Sequence, residues 1–384
     1  MKPVYLYVVP FFPSSESWRG GFFLDVAKAL IRDGRYDVRV MTVSTGEDYQ
    51  IDGIDVVRFK TVKLGCSDYF PLVTDKFKIR AFSRKLAEMS LAPKDIAVCH
   101  VNEIECMAFY GQWLKIRNGN CCFLVHHHWS GIYALPGGRM NRIGLCRDIE
   151  MSRIRQAYAG ADLHIFCSEK CRDAFMPFDM RFKNESVIYN GIDAGLFNSG
   201  KKRLNNGKQF KIGCVGNFTP TKSQMTLVEA FSLAHEKMPG AELVFVGTGR
   251  ERGECEAAVQ KNGLMGKVRF ENEVNHQKLP DFYRTLDLFV LPSYLEAFNC
   301  TLIEAWACGV PCMTTDAISF KEVLPRGEWD KWLFRAKDSA ALADKLVWAY
   351  ANRPARQPLL RNIDIDTIVR ELLDLVEEER LHRV

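Results

Sequence analysis

Two hydrophobic periods take turns along the chain. Short apolar runs, unbroken or alternating, read as strands, and longer stretches with apolar residues three and four apart read as helices. Residues 4–10 form the first apolar run, followed by the loop F-F-P-S-S-E-S-W-R-G-G-F. A helical pattern over 23–32 then places Leu24, Val26, Ala27 and Leu30 at apolar positions. Strands are expected at 36–42, 54–59, 95–102, 121–125 and 162–168, with helices over 74–89 and 149–159. The pattern then restarts: strand 210–215, helix 224–237, strands 243–249 and 268–273, and an apolar run at 286–291. A helix over 301–308 is stopped by Gly309 and Pro311, and a last helix spans 367–380. Strand–helix alternation of this kind predicts an α/β chain of two doubly wound units. The polar, basic run N-S-G-K-K-R-L-N-N-G-K-Q (198–209) separates them as a linker.

Composition narrows the function classes. Of the 384 residues, 47% are hydrophobic and 26% charged, which are globular values. The net charge of +5 does not indicate a nucleic-acid partner and is compatible with an anionic substrate or an anionic membrane surface. The thirteen cysteines sit mostly in apolar runs without a preceding secretory signal, so reduced cytosolic thiols are expected. No run reaches the ~18 apolar residues of a membrane span, and no cysteine–histidine spacing suggests zinc. The helix over 74–89 has two readings. Phe77, Ala81, Phe82, Leu86 and Met89 share a face, while Lys76, Lys78, Arg80, Arg84 and Lys85 crowd the rest. It is a surface helix packed on the sheet, the favoured reading, or a basic amphipathic helix in peripheral contact with an anionic membrane.

Candidate chemistry concentrates in V-L-P-S-Y-L-E-A-F-N-C-T-L-I-E-A-W-A-C-G-V-P-C-M-T-T (290–315). It reads as strand, polar loop and helix, with Glu296 in the loop and Glu304 eight residues later in the helix. Amides at such a helix start can hold a diphosphate. Glu304 is placed to accept hydrogen bonds from a ribose, and Glu296 to meet the group beyond the phosphates. An ordinary crossover with two solvated glutamates is the competing reading. Lys222, at the entry to helix 224–237, can neutralise a diphosphate as a point charge. Gly20-Gly21 would let a phosphate or sugar approach the backbone, and their spacing is not the G-x-G-x-x-G of a dinucleotide dehydrogenase. His126, His127 and His128 emerge at the carboxyl end of strand 121–125, where open α/β sheets bind ligands. Counting from the strand start puts His126 first and His127 next, with the register open. W-S-G-I-Y-A-L-P-G-G-R-M-N-R after them reads as an acceptor lip. Asp364-Ile365-Asp366 matches D-x-D but abuts the last helix and reads as its cap.

The stretch P-S-Y-L-E-A-F-N-C-T-L-I-E-A-W-A-C-G-V-P-C resembles the E-x7-E signature of retaining GT-B glycosyltransferases of the family 4 type. Ala297 and Asn299 stand where that family usually has glycines, Ala297 being the harder fit if the position needs positive φ. V-I-Y-N-G-I-D-A-G-L-F (187–197), A-D-L-H-I-F-C-S and the lysine of G-N-F-T-P-T-K resemble further family motifs, with Asn217 in place of a usual arginine. The resemblance implies two facing Rossmann-like domains with a cleft between them: 1–197 on the acceptor side, the linker, 210–364 for the nucleotide-sugar, and helix 365–384 crossing back to the first domain. It implies donor binding by Gly20, Gly21, Asn217, Lys222, Phe298, Asn299, Thr301 and Glu304, and catalysis by His126, His127 and Glu296. The expected donor is a UDP- or GDP-sugar and the acceptor a glycan or lipid-linked molecule. The setting is bacterial surface-polysaccharide assembly, in the cytoplasm or at the inner membrane face. No cofactor or metal is expected. A nucleotide-sugar epimerase or hydrolase, or a non-catalytic binding homologue, is the alternative.

Overall fold

A computed structural model describes residues 2–15, 17–59, 71–103, 107–128, 144–178, 180, 182–200 and 209–382. The expected acceptor lip after His128 and most of the linker lie outside the described residues. The chain divides into two compact units, one of residues 1–191 with 365–384 and one of 192–364.

In the first unit the strands are β1 (Val4–Val9), β2 (Asp37–Thr42), β3 (Tyr49–Ile51), β4 (Ile54–Arg58), β5 (Ile96–Glu103), β6 (Cys122–His127), β7 (Leu163–Phe166) and β8 (Glu185–Val187). They lie in the order β3-β4-β2-β1-β5-β6-β7-β8, parallel except for the β3–β4 hairpin. Asp52-Gly53, both at positive φ, close that hairpin, a turn whose chemistry matches its two-residue loop. The helices are α1 (Gly21–Asp33), α2 (Pro71–Glu88), α3 (Ala108–Arg117), α4 (Gly144–Ala159) and α5 (Glu169–Asp173). The second unit has β9 (Phe210–Val215), β10 (Ala241–Val246), β11 (Val268–Glu271), β12 (Leu288–Leu291), β13 (Cys312–Thr315) and β14 (Leu333–Phe334). These form a parallel sheet in the order β11-β10-β9-β12-β13-β14. Its helices are α6 (Gln224–Ala234), α7 (Arg252–Lys261), α8 (Leu279–Tyr283), α9 (Cys300–Ala307), α10 (Trp329–Trp332) and α11 (Ser339–Asn352).

Each sheet therefore has one place where the strand order reverses, between β1 and β5 and between β9 and β12. Loops leaving the carboxyl ends of these neighbours diverge to opposite faces and leave a crevice. The sequence-predicted loops with Gly20-Gly21 and with Lys222 and Glu296 leave from those strands.

The last helix, α12 (Ile365–Leu381), belongs to the first unit. Its Ile365, Val369, Leu372, Leu373 and Val376 share one apolar cluster with Leu24, Ala27 and Leu30 of α1 and with Tyr5 and Tyr7 of β1. Arg32 holds Asp366 in its first turn at 2.6 Å, and Asp364 precedes the helix, so the D-x-D string is built into a helix start. The division between units falls after Gly191, inside the N-G-I-D-A-G-L-F segment that the sequence reading keeps wholly in the first domain. The reason is local: the Ile192 amide donates to Ile363 O at 2.7 Å, and Phe197 packs edge-on against His276.

Helix α2 bears on one part of the membrane reading, the insertion of its phenylalanines. Phe82 and Leu86 are in the core, Phe82 ringed by Phe59 and Tyr110. Only Phe77 of the two phenylalanines is exposed, at 47%. Lys85 is engaged by Asp48 at 2.8 Å and Glu88 at 3.0 Å, Arg84 by Glu88 at 3.2 Å and Lys78 by Asp75 at 3.9 Å. Insertion through both phenylalanines is therefore not available. Among the described residues no helix is long and apolar enough to cross a membrane.

Because Leu373 is fully buried in the cluster that docks α12, Leu373→Ala should cost the first unit about 2–5 kcal/mol. Urea unfolding followed by a probe in that unit measures it; a loss below ~0.5 kcal/mol would show that α12 is not part of its core.

Candidate active site

In the second unit β9 ends at Val215, and Gly216 turns the chain at φ 156. Gly247, after β10, has φ 141, and a Cβ there would stand 2.3 Å from Gly216 O. Only glycine lets these two loops lie against one another. The Gln224 side chain on α6 donates to Asn217 O at 3.1 Å, fixing the loop's start. The Tyr294 amide donates to Thr221 O at 3.0 Å, binding the loop after β12 to the loop after β9. The product of this bracing is an ion pair: Lys222 Nζ lies 2.5 Å from Glu296 Oε1.

Helix α9 starts immediately beyond. Asn299 is its N-cap, extended at φ −107, with Oδ1 accepting the Leu302 amide at 3.2 Å and the Thr301 hydroxyl at 2.7 Å. Neither Ala297 nor Asn299 has positive φ, so the two departures from glycine cost no backbone strain. Asn299 is extended and serves as a cap. Other amides of the first turn have no intrahelical acceptor and carry the positive end of the helix dipole. Ala297 and Phe298 are buried beneath the turn. One turn into the helix, Glu304 is also buried, and the Tyr283 hydroxyl donates to its Oε2 at 2.8 Å. Burial pushes the Tyr283 phenol well above its ordinary range, so it stays a neutral donor. Asn217 is exposed and carries no charge, as the sequence shows. Lys337 sits 4.1 Å over the Tyr294 ring, bringing a second cation to the loop that holds Glu296. Sequence reasoning named neither Tyr283 nor Lys337, since both come from distant segments.

In the first unit Gly20 is the N-cap of α1 at φ 93, and a Cβ there would meet Phe11 at 2.9 Å. The glycine thus serves the chain's own turn, and Gly21 begins the helix, buried. Strand alternation separates the histidines. His127 faces the core, stacked on Phe166 at 4.5 Å with Nε2 3.0 Å from His164 Nδ1. His126 and His128 face the other way, their rings 4.0 Å apart, and His126 stacks on His100 at 5.4 Å. His126 and His127 are buried, whereas His128 keeps an accessible surface. His128 Nε2 lies 3.0 Å from Asn102 Oδ1, and Asn102 Nδ2 donates to Val8 O at 3.2 Å. That commitment of the amide makes Oδ1 the acceptor, so His128 carries its proton on Nε2 and presents Nδ1 as an acceptor. Phe22 and Phe23, just after the glycine pair, stand edge-on to His128 at 5.4 and 5.5 Å.

With this geometry established, comparison with known proteins identifies the class. Residues 22–196 match the family model described as Glycosyltransferase Family 4, and residues 198–364 match Glycosyl transferases group 1. The chain belongs to this glycosyltransferase family, and its two Rossmann-like units are those of the GT-B fold. It is 33% identical over 183 residues to the lipopolysaccharide core biosynthesis mannosyltransferase LpsB of Rhizobium meliloti, covering 44% of this chain. That match spans 51% of LpsB, so the chain spans about half the length of this curated relative. Among solved structures it is similar to sucrose-phosphate synthase from Thermosynechococcus elongatus, with a TM-score of 0.73 at 19% identity, covering 100% of this chain and 97% of that one. It is also similar to Anabaena HepE in complex with UDP and glucose, with a TM-score of 0.69 at 18% identity and coverage of 98% and 99%.

The histidine cluster has a consequence for stability. Burial holds His128 down at about 3 and His164 at about 4, and burial with neighbouring imidazoles lowers His126 and His127 well below the ordinary range. In the unfolded chain they protonate near pH 6.5. Below that pH the unfolded state binds more protons, so stability is complete above about 6.5 and is lost as pH falls toward 4. Each such histidine contributes up to ~1.4 kcal/mol per pH unit in this window. Denaturant midpoints of the first unit should therefore fall between pH 7.5 and 5; a pH-independent midpoint would contradict the neutral, buried cluster.

Proposed function

We propose that the chain is a retaining glycosyltransferase that moves a sugar from a UDP- or GDP-sugar to a glycan or lipid-linked acceptor in surface-polysaccharide assembly. One observation carries the reading: Lys222 pairs with Glu296 in the loop that leads into the capped start of α9 and on to Glu304, and both loops leave the strands between which the second sheet reverses its order. A nucleoside diphosphate needs positive charge and amide donors where its leaving oxygen gains charge, and these groups supply both. Glu304, steadied by Tyr283, accepts hydrogen bonds from the ribose hydroxyls. Glu296 accepts from the sugar hydroxyls. The bond from the anomeric carbon to the diphosphate oxygen breaks, the acceptor hydroxyl oxygen bonds to that carbon on the same face, and its proton passes to the departing diphosphate oxygen. HepE, whose structure contains UDP and glucose, supports a donor of this class. LpsB, a mannosyltransferase of lipopolysaccharide core biosynthesis, supports the setting. In the first unit His128 takes the sugar-side role that residue counting assigns to His126, because it is the less buried of the two and Asn102 fixes its tautomer. Incubation with donor alone separates this reading from an epimerase or hydrolase, which would change the donor without an acceptor.

A thermal-shift panel of UDP- and GDP-sugars identifies the donor: at 100 times its dissociation constant it should add about 2.7 kcal/mol. With that donor, Glu304→Gln, Lys222→Ala and His128→Ala should each cut transfer by about tenfold or more, equivalent to about 1.4 kcal/mol of transition-state stabilisation. Wild-type rates in Glu304→Gln and Lys222→Ala would refute the site; a wild-type rate in His128→Ala alone would return the histidine role to His126. Since Lys222 and the helix amides provide the charge that the diphosphate needs, transfer should also survive EDTA. Abolition by EDTA with rescue by Mg2+ or Mn2+ would show that a metal shares that task.

A further inference from the structure

The cation reserved for the diphosphate is already engaged. Lys222 Nζ lies 2.5 Å from Glu296 Oε1, with 21% and 12% of the two side chains exposed. The pair is not what holds its loops in place. The Lys222 amide donates to Thr219 O at 3.0 Å, and the Tyr294 amide donates to Thr221 O at 3.0 Å, so backbone bonds set both loops. The side chains can therefore exchange partners while the loops stay where they are. An ammonium group is a point charge on a flexible stem with three donors, indifferent to whether a carboxylate or a phosphate oxygen faces it.

We propose that Glu296 is a displaceable stand-in for the donor's diphosphate on Lys222. The arriving diphosphate takes over the ammonium, and Glu296 is released to receive the sugar hydroxyls. This rests on the reading of Lys222 as the diphosphate's cation. A diphosphate carries more negative charge than one carboxylate and wins the exchange. Sugar recognition then depends on the diphosphate: a free sugar meets a carboxylate that is engaged, whereas a nucleotide-sugar frees it on arrival. Removing the carboxylate should accordingly strengthen the binding of a nucleotide that has no sugar at all, an effect foreign to a glutamate that only reads sugar hydroxyls.

The test is calorimetric titration with UDP and with GDP of the wild type, Glu296→Gln, Lys222→Met and the double variant. Glu296→Gln should bind the preferred nucleotide roughly three- to tenfold more tightly, the worth of one partly exposed ion pair. In the Lys222→Met background the same change should bring no gain, because the competition runs through the ammonium. Equal affinity in wild type and Glu296→Gln would overturn the proposal while leaving the donor site intact. An equal gain in both backgrounds would also overturn it, since a simple field effect of the carboxylate would then explain the data. Failure of the wild type to bind either nucleotide would remove the donor-site reading itself, and the exchange with it.

Discussion

The pairing of β9 with β12 is the constraint on which the candidate site depends. Leu288 aligns with Ile212 and Phe289 with Gly213, bringing together two strands whose order in the chain is far from consecutive. Gly213 makes room at this seam, since a Cβ there would stand 2.3 Å from Leu286. Everything with chemistry follows from the register so set. The loop after β9 carries Lys222, the loop after β12 carries Glu296, and Thr301 at the start of α9 reaches back to Val215 O at 3.3 Å. A one-residue slip would turn the strand faces over and separate these groups.

The second unit places charged groups close together around the loop after β12. Lys222 pairs with Glu296, Lys337 lies over the Tyr294 ring of the same loop, and Glu304, one turn into α9, accepts from Tyr283. The first unit is different in kind. Around His128 it gathers neutral imidazoles, the Asn102 amide and aromatic rings, while the Glu103 carboxylate that ends β5 accepts the Met107 and Ala108 amides.

Much of this was legible in the chain, for physical reasons. Apolar runs and glycine or proline punctuation marked most of the parallel strands, and Gly309 at φ 86 ends α9 where the pattern stops. The strand–loop–helix that carries Glu296 and Glu304 could be read directly, because its polar loop interrupts two apolar segments. Asn299 stands where the resembled family has a glycine, and its extended φ and side-chain cap show that the helix-start rule, not backbone freedom, governs the position. The histidine register was not legible. Alternation states that His126 and His128 share a face, but which face meets the core is decided by His164 and Phe166 on β7, a tertiary fact. Tyr283 was equally hidden, since its contact with Glu304 arises from packing between two separate helices. In α2, periodicity located the apolar face correctly, but only packing showed that Phe82 was already spent on the core.

The central claim is that the second unit holds a nucleoside diphosphate through Lys222, the start of α9 and Glu304. A crystal structure of the protein with UDP or GDP tests it most directly. The account predicts diphosphate oxygens within hydrogen-bond distance of Lys222 Nζ and the first-turn amides of α9, with ribose hydroxyls on Glu304. A nucleotide bound with those three groups untouched would contradict it.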